Sequence, residues 1–134
     1  PKICQSAITS HKNKNIKIFF GDIDVIRDWG WCEEQIIYMW KHLQTKPKDF
    51  LVASGKFFKA RELLNFAYSY FKLNYKNHIK FSKEFKRQKD IKSVKADIIS
   101  QEKKNKIFRK PRIYGKKMII KLIKYYLNNN KKWE

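Results

Sequence analysis

The chain has 134 residues, 43% of them hydrophobic, and a formal net charge of +20. That length allows one domain or part of one, and the apolar content suffices for a packed core, which argues against a disordered chain. No apolar run approaches the roughly 20 residues that a membrane helix needs, and the opening PKICQSAITS has no apolar signal-peptide core. The first residue is proline rather than methionine, and a fragment of a longer protein is the simplest expectation.

In chain order, Lys2 to Ser10 predicts a short helix with Ile3, Ala7 and Ile8 on its apolar side. After the polar HKNKN, Ile16 to Phe20 predicts a strand, ended by Gly21. Asp22 and Asp24 follow in a turn, with Arg27 placed just before a helix start. That helix is expected over Trp31–Gln44, with Cys32, Ile36, Met39/Trp40 and Leu43 sharing one face. Glu33 and Glu34 in its first turn, and Lys41 and His42 in its last, suit the helix dipole, and Pro47 stops it. Phe50 to Ala53 is an unbroken apolar run, which predicts a strand covered on both faces.

A second amphipathic helix is expected from Ala60 to Lys72, with Leu63, Leu64, Phe66, Ala67, Tyr70 and Phe71 as its stripe. His78–Phe81 predicts a short strand and Ser82–Lys95 a polar loop. Asp97 could cap a helix through Lys104, and IFRKPRI reads as an extended connector. A last helix over Gly115–Asn128 carries Met118, Ile119, Leu122, Ile123 and Tyr126, followed by a frayed NNNKKWE tail. This order is α/β, with no repeat and no linker that would divide the chain.

The charge suggests a nucleic-acid partner, but only five of the 32 basic residues are arginine: Arg27, Arg61, Arg87, Arg109 and Arg112. The lysines are scattered among asparagines and isoleucines, which is a compositional habit more than a phosphate track. A small basic nucleic-acid- or polyanion-binding protein is therefore the alternative reading. Cys4 and Cys32 have no metal or disulfide spacing, and His11, His42 and His78 are dispersed, so no metal site is expected. Glycines at 21, 30, 55 and 115 cannot spell a dinucleotide or P-loop motif. Tyr68 and Lys72 fit Y-x-x-x-K, but on a lysine-rich aromatic helix that spacing arises readily by chance. No catalytic set is assigned to this chain. In a chain that uses lysine almost everywhere, Arg27 stands out, because a guanidinium can grip phosphate or stack on a base. The alternative for Arg27 is a salt bridge to Asp28 or Asp24.

Arg27-Asp28-Trp29-Gly30, then Met39-Trp40, Pro47-x-Asp49-Phe50, Ala53-x-Gly55 and Arg61-Glu62 together closely resemble the C-terminal part of the GDP-mannose 4,6-dehydratases. This is a family of extended short-chain dehydrogenases/reductases. The match runs without gaps from Lys2-Ile3 through Leu64. Beyond it, Arg87-Gln88-Lys89-Asp90 stands where the family has R-P-x-E, and Lys110-Pro111-Arg112 stands for the end of its W-K-P-K. The resemblance covers nearly all of this chain but only roughly the last third of such an enzyme.

The resemblance implies an α/β fold in which residues 1–134 are a single partial domain. That domain would be the substrate-binding portion of an NAD(P)-binding Rossmann-type enzyme, without its N-terminal cofactor lobe. It implies conversion of GDP-mannose, or a related GDP-sugar, to the 4-keto-6-deoxy sugar nucleotide, with bound NADP moving a hydride from C4 to C6. The setting would be cytoplasmic GDP-fucose biosynthesis by a homo-oligomer. Lys2 and Arg27 would contact the GDP moiety, Arg87 the diphosphate, and Asp90 would supply the motif's acid. The family's cofactor turn and catalytic residues precede residue 1, so this piece would not bind NADP by itself. Inactivity alone follows, and a non-functional relic of the enzyme is a further reading. The chain departs from the family at Pro1, where the family has arginine, and at Trp31, Gln35 and Gln88. Asp90 is one methylene shorter than the family's glutamate.

Overall fold

Three helices wrap one apolar core. A computed structural model describes residues 1–85, 91–98 and 110–129. Helix α1 is Lys2–Lys12, α2 Cys32–Leu43, α3 Ala60–Tyr70 and α4 Gly115–Asn129. Among the described residues, four strands of three residues each accompany them: β1 Ile18–Phe20, β2 Ile26–Asp28, β3 Phe57–Lys59 and β4 Ile79–Phe81.

The central element is α3. Its side chains Leu63, Leu64, Ala67 and Tyr68 are fully buried, between Cys4 and Ala7 of α1 and Met118, Ile119 and Ile123 of α4. Each fully buried leucine or isoleucine there contributes about 1.5–3 kcal/mol. The helix begins where Glu62 Oε2 accepts the Lys59 backbone N–H at 2.7 Å, leaving that donor satisfied at the helix entrance. It ends where the N–H groups of Phe71 and Leu73 both donate to Tyr68 O, with Lys72 at φ 56° in the left-handed region. Tyr68 OH lies 3.1 Å from Ser10 Oγ, which satisfies two hydroxyls inside the core. Tyr68 and Lys72 therefore form no acid–base pair: the phenol is sealed beneath α1, and Lys72 is exposed on the helix-ending turn.

Strands β1 and β4 pair in parallel, with Ile18 opposite Ile79. A parallel pair requires a long crossover, which here runs through α2 and α3. Strands β2 and β3 pair antiparallel, with Arg27 opposite Phe58. On its other side β2 bridges residue 93, as Ile26 N–H donates to Lys92 O and Val94 N–H donates to Ile26 O. The expected α/β class is what the fold has.

Several local expectations need correction. Arg27, expected between the Asp22–Asp24 turn and the start of α2, lies in a short strand, Ile26–Asp28, that the sequence did not predict. Phe50–Ala53 forms no strand: it has no ladder partner among the described residues, and the chain pairs β2 with Phe57–Lys59 instead. Helix α2 forms as expected, but the stripe Cys32, Ile36, Met39, Trp40, Leu43 faces outward, and its buried residues are Tyr38 and His42. Those two rings pack on Phe50, His42 at 3.9 Å and Tyr38 at 5.9 Å between centroids. The helix expected from Asp97 to Lys104, and the tail from residue 130, lie largely or wholly outside the described residues.

Candidate sugar-nucleotide site

The residues Arg27 to Gly30 divide into one cation and three residues with structural duties. The Asp28 carboxylate accepts Ser54 N–H at 3.0 and 3.1 Å, Ser54 Oγ–H at 2.6 Å and Gly55 N–H at 2.7 Å. It thereby folds the 53–55 turn, where Gly55 has φ +67°. Trp29 Nε1–H donates to Phe58 O at 3.0 Å and braces the β2–β3 pair. At Gly30 a Cβ would meet Gln35 Nε2 at 2.3 Å and Ser54 Cβ at 3.2 Å, so a side chain there would have to displace the Gln35 amide.

Arg27 is half-buried, and its Nη1 donates to Ile26 O at 2.8 Å. The two carboxylates flanking it in sequence are engaged elsewhere. Asp28 holds the Ser54–Gly55 turn, and Asp24 pairs with Arg61 Nη2 at 2.5 Å. Asp22 Oδ1 accepts Asp24 N–H at 2.7 Å, which makes the turn that sequence reading placed there.

Lys2 sits in the first turn of α1. Its Nζ lies 4.8 Å from the Phe20 ring centre and 4.9 Å from that of Phe85, a cation–π clamp on the end of β1. Gly21 is threaded against the same segment, since a Cβ there would meet Phe85 O at 2.4 Å.

Arg87 and Asp90 lie outside the described residues. Both flanks of their segment, however, are anchored. Phe85 lies at the Lys2 ammonium, and residues 92–94 are hydrogen-bonded along the strand that carries Arg27. Seven residue steps separate Phe85 from Lys92, so these two anchored points lie no more than about 25 Å apart. The sequence alone did not reveal this bracket, because Ile26, Lys92 and Val94 carry no chemical signal.

A separate cleft of about 320 Å³ lies at the start of α2 and includes Gly30, Trp31, Tyr38, Lys41, Ser54 and Arg112 in its walls. Glu34 accepts the N–H groups of Arg112 and Ile113 at 3.1 and 3.3 Å, which closes one side. Two of the sequence motifs, Arg27–Gly30 and Lys110–Arg112, thus meet in space although neither predicted the other's position.

The described residues do not fit a dinucleotide cofactor. Such a site needs a glycine-rich turn from strand to helix, whereas β1 leads through Gly21 into the Asp22 turn and then β2. The space in front of Gly21 is filled by Phe85.

Comparison with known proteins agrees with this geometry. The family described as GDP-mannose 4,6 dehydratase matches residues 1–116. GDP-mannose 4,6 dehydratase 1 of Arabidopsis thaliana is 31% identical over 104 residues, 77% of this chain and 28% of that protein. GDP-mannose 4,6 dehydratase 2 of Caenorhabditis elegans is 36% identical over 69 residues, 51% of this chain and 18% of that one. In structure, RMD from Pseudomonas aeruginosa, solved with NADPH, superposes with a TM-score of 0.74 at 19% identity. That alignment covers 95% of this chain and 42% of RMD, so this chain's fold matches less than half of RMD. No helix among the described residues is long and apolar enough to cross a membrane. With a family match across most of its length and the R-D-W-G residues built into the β2–β3 frame, this chain belongs to the GDP-mannose 4,6 dehydratase family.

Proposed function

We propose that this chain is the sugar-nucleotide-binding part of a cytoplasmic, homo-oligomeric GDP-mannose 4,6-dehydratase. NADP held on the rest of the enzyme supplies the hydride chemistry. Lys2 and Arg27 bind the GDP moiety, Arg87 the diphosphate, and Asp90 orients a polar group of the ligand. The supporting observation is the bracket around residues 86–90, with the Lys2 clamp at one flank and the Arg27 strand at the other. A forked guanidinium on a rigid strand and an ammonium fixed between two rings are complementary to a diphosphate and a base. With Asp28 and Asp24 committed to the Ser54–Gly55 turn and to Arg61, these neighbours serve the frame.

The test uses a chimera in which this chain replaces the matching segment of the Arabidopsis enzyme. Arg27→Ala should weaken GDP-mannose binding about 10- to 100-fold, the worth of one charge-assisted contact, with NADP affinity unchanged. Equal loss of both ligands, or loss of neither, refutes the assignment of Arg27.

A further inference from the structure

Glu33 and Glu34 open α2, and both carboxylates are engaged. Glu33 Oε2 accepts Trp31 Nε1–H at 3.0 Å and pairs with Lys121 Nζ at 3.3 Å. Glu34 accepts the backbone N–H groups of Arg112 and Ile113, which holds that segment against the helix. Glu34, Tyr38 and Lys41 follow one another at helical spacing and line the cleft of about 320 Å³, with Arg112 in another of its walls. Among the described residues the walls carry three cations, Lys41, Lys110 and Arg112, against the single carboxylate of Glu34. The Lys41 ammonium, the Arg112 guanidinium and the Gln35 side-chain amide have no hydrogen-bonding or ionic partner among the described residues.

The aromatic walls are fixed before any ligand arrives. Trp31 is held at its indole N–H by Glu33 and on its ring by Lys121, whose Nζ lies 4.6 Å from the ring centre. Tyr38 is wedged edge-on against His42 and Phe50, at 4.6 and 5.9 Å between centroids.

We infer that this cleft binds a small aromatic phosphate, of the size and chemistry of a nucleoside monophosphate. Its volume lies within the roughly 300–1,000 Å³ of small-molecule sites. A forked guanidinium and an ammonium suit a phosphate, because each hydrogen bond to the anion is charge-assisted. Rings already locked in place receive a planar group at little ordering cost. The Gln35 amide supplies one donor and one acceptor for a ring edge. Free phosphate would use the cations alone, and an uncharged nucleoside would leave them unpaired. Neither Lys2 nor Arg27 lines the cleft, so it can take its own ligand whatever those two residues bind.

The test titrates the ¹⁵N-labelled 134-residue chain with AMP, adenosine and inorganic phosphate, read by NMR. AMP should give saturable shifts at the Trp31 indole N–H, the Gln35 side-chain amide and the Arg112 backbone N–H. Adenosine and phosphate should each bind at least about tenfold more weakly. Shifts that do not saturate by about 10 mM AMP, or either fragment binding as tightly as AMP, overturn the inference.

Lys41→Ala/Arg112→Ala should weaken AMP binding at least about tenfold. Both side chains are exposed, and Glu34 holds the Arg112 backbone, so this variant keeps the parent fold. Gln35→Glu places a carboxylate in the wall and should give a similar loss with the melting temperature within about 2 °C of the parent. Lys116→Ala/Lys124→Ala removes the same charge from exposed positions on α4 and should change binding less than about twofold. Equal losses in the two double variants would show general attraction to a chain of charge +20 and overturn the inference. If Arg27→Ala abolishes AMP binding and Lys41→Ala/Arg112→Ala does not, AMP occupies the proposed GDP-sugar contacts, which overturns the cleft assignment and leaves that of Arg27 standing.

Discussion

Asp24 and Asp28 are four residues apart on one short stretch, yet the structure assigns them opposite energetic weights. The Asp28 carboxylate satisfies three donors: Ser54 N–H, Ser54 Oγ–H and Gly55 N–H. Bonds to a charged acceptor are worth about 1.5–3 kcal/mol each, but the site is half-buried, water can enter, and the serine hydroxyl can find another partner. Asp28→Ala should therefore cost about 3 kcal/mol. For a chain of this size that lowers Tm by roughly 10 °C. Asp24 is held by Arg61 in a pair whose side chains are 50% and 46% exposed, so Asp24→Ala should cost less than about 0.5 kcal/mol. Asp28→Asn keeps one acceptor oxygen and should fall between the two. Thermal unfolding followed by circular dichroism, at one pH and salt concentration, measures all three. If Asp24→Ala proves as damaging as Asp28→Ala, or Asp28→Ala shifts Tm by less than about 3 °C, Asp28 does not carry the Ser54–Gly55 turn.

Lys72 holds a left-handed φ of 56°, so Lys72→Gly should raise stability by about 0.5–1 kcal/mol, as read by urea unfolding. Tyr68→Phe removes the bond to Ser10 while filling the same space and should cost about 1 kcal/mol; a loss above about 3 kcal/mol would point to a larger role for that hydroxyl. Burial pushes the Cys4 thiol from its ordinary 9.0 up to about 11. Between those values the unfolded chain binds fewer protons than the folded one, so stability falls as pH rises from 9 to 11, by about 2–3 kcal/mol from this group. Cys4→Ala should flatten that slope; the same slope in the variant would assign it to Tyr38 and Tyr126, whose hydroxyls burial also raises. Binding of the chain to duplex DNA should be lost by about 200 mM salt, and saturable binding that survives would support the nucleic-acid reading.

Much of this protein follows from local pattern. The spacing of apolar residues places α1, α3 and α4 within about two residues of their ends, and the buried stripes of α3 and α4 largely coincide with the expected ones. The R-D-W-G stretch carries the family resemblance because Asp28 and Trp29 each meet a hydrogen-bonding demand that few other residues satisfy. Tertiary structure decided the rest. Whether Phe50–Ala53 is a strand depends on a partner edge, and hydrophobic composition cannot say whether one is present. Which side of α2 faces inward depends on Phe50 gathering Tyr38 and His42, a contact between aromatic rings that helical periodicity does not encode. The alignment of residues 92–94 along the Arg27 strand arises from backbone hydrogen bonds at residues 26, 92 and 94, and backbone groups are the same in every sequence until the fold selects which of them meet.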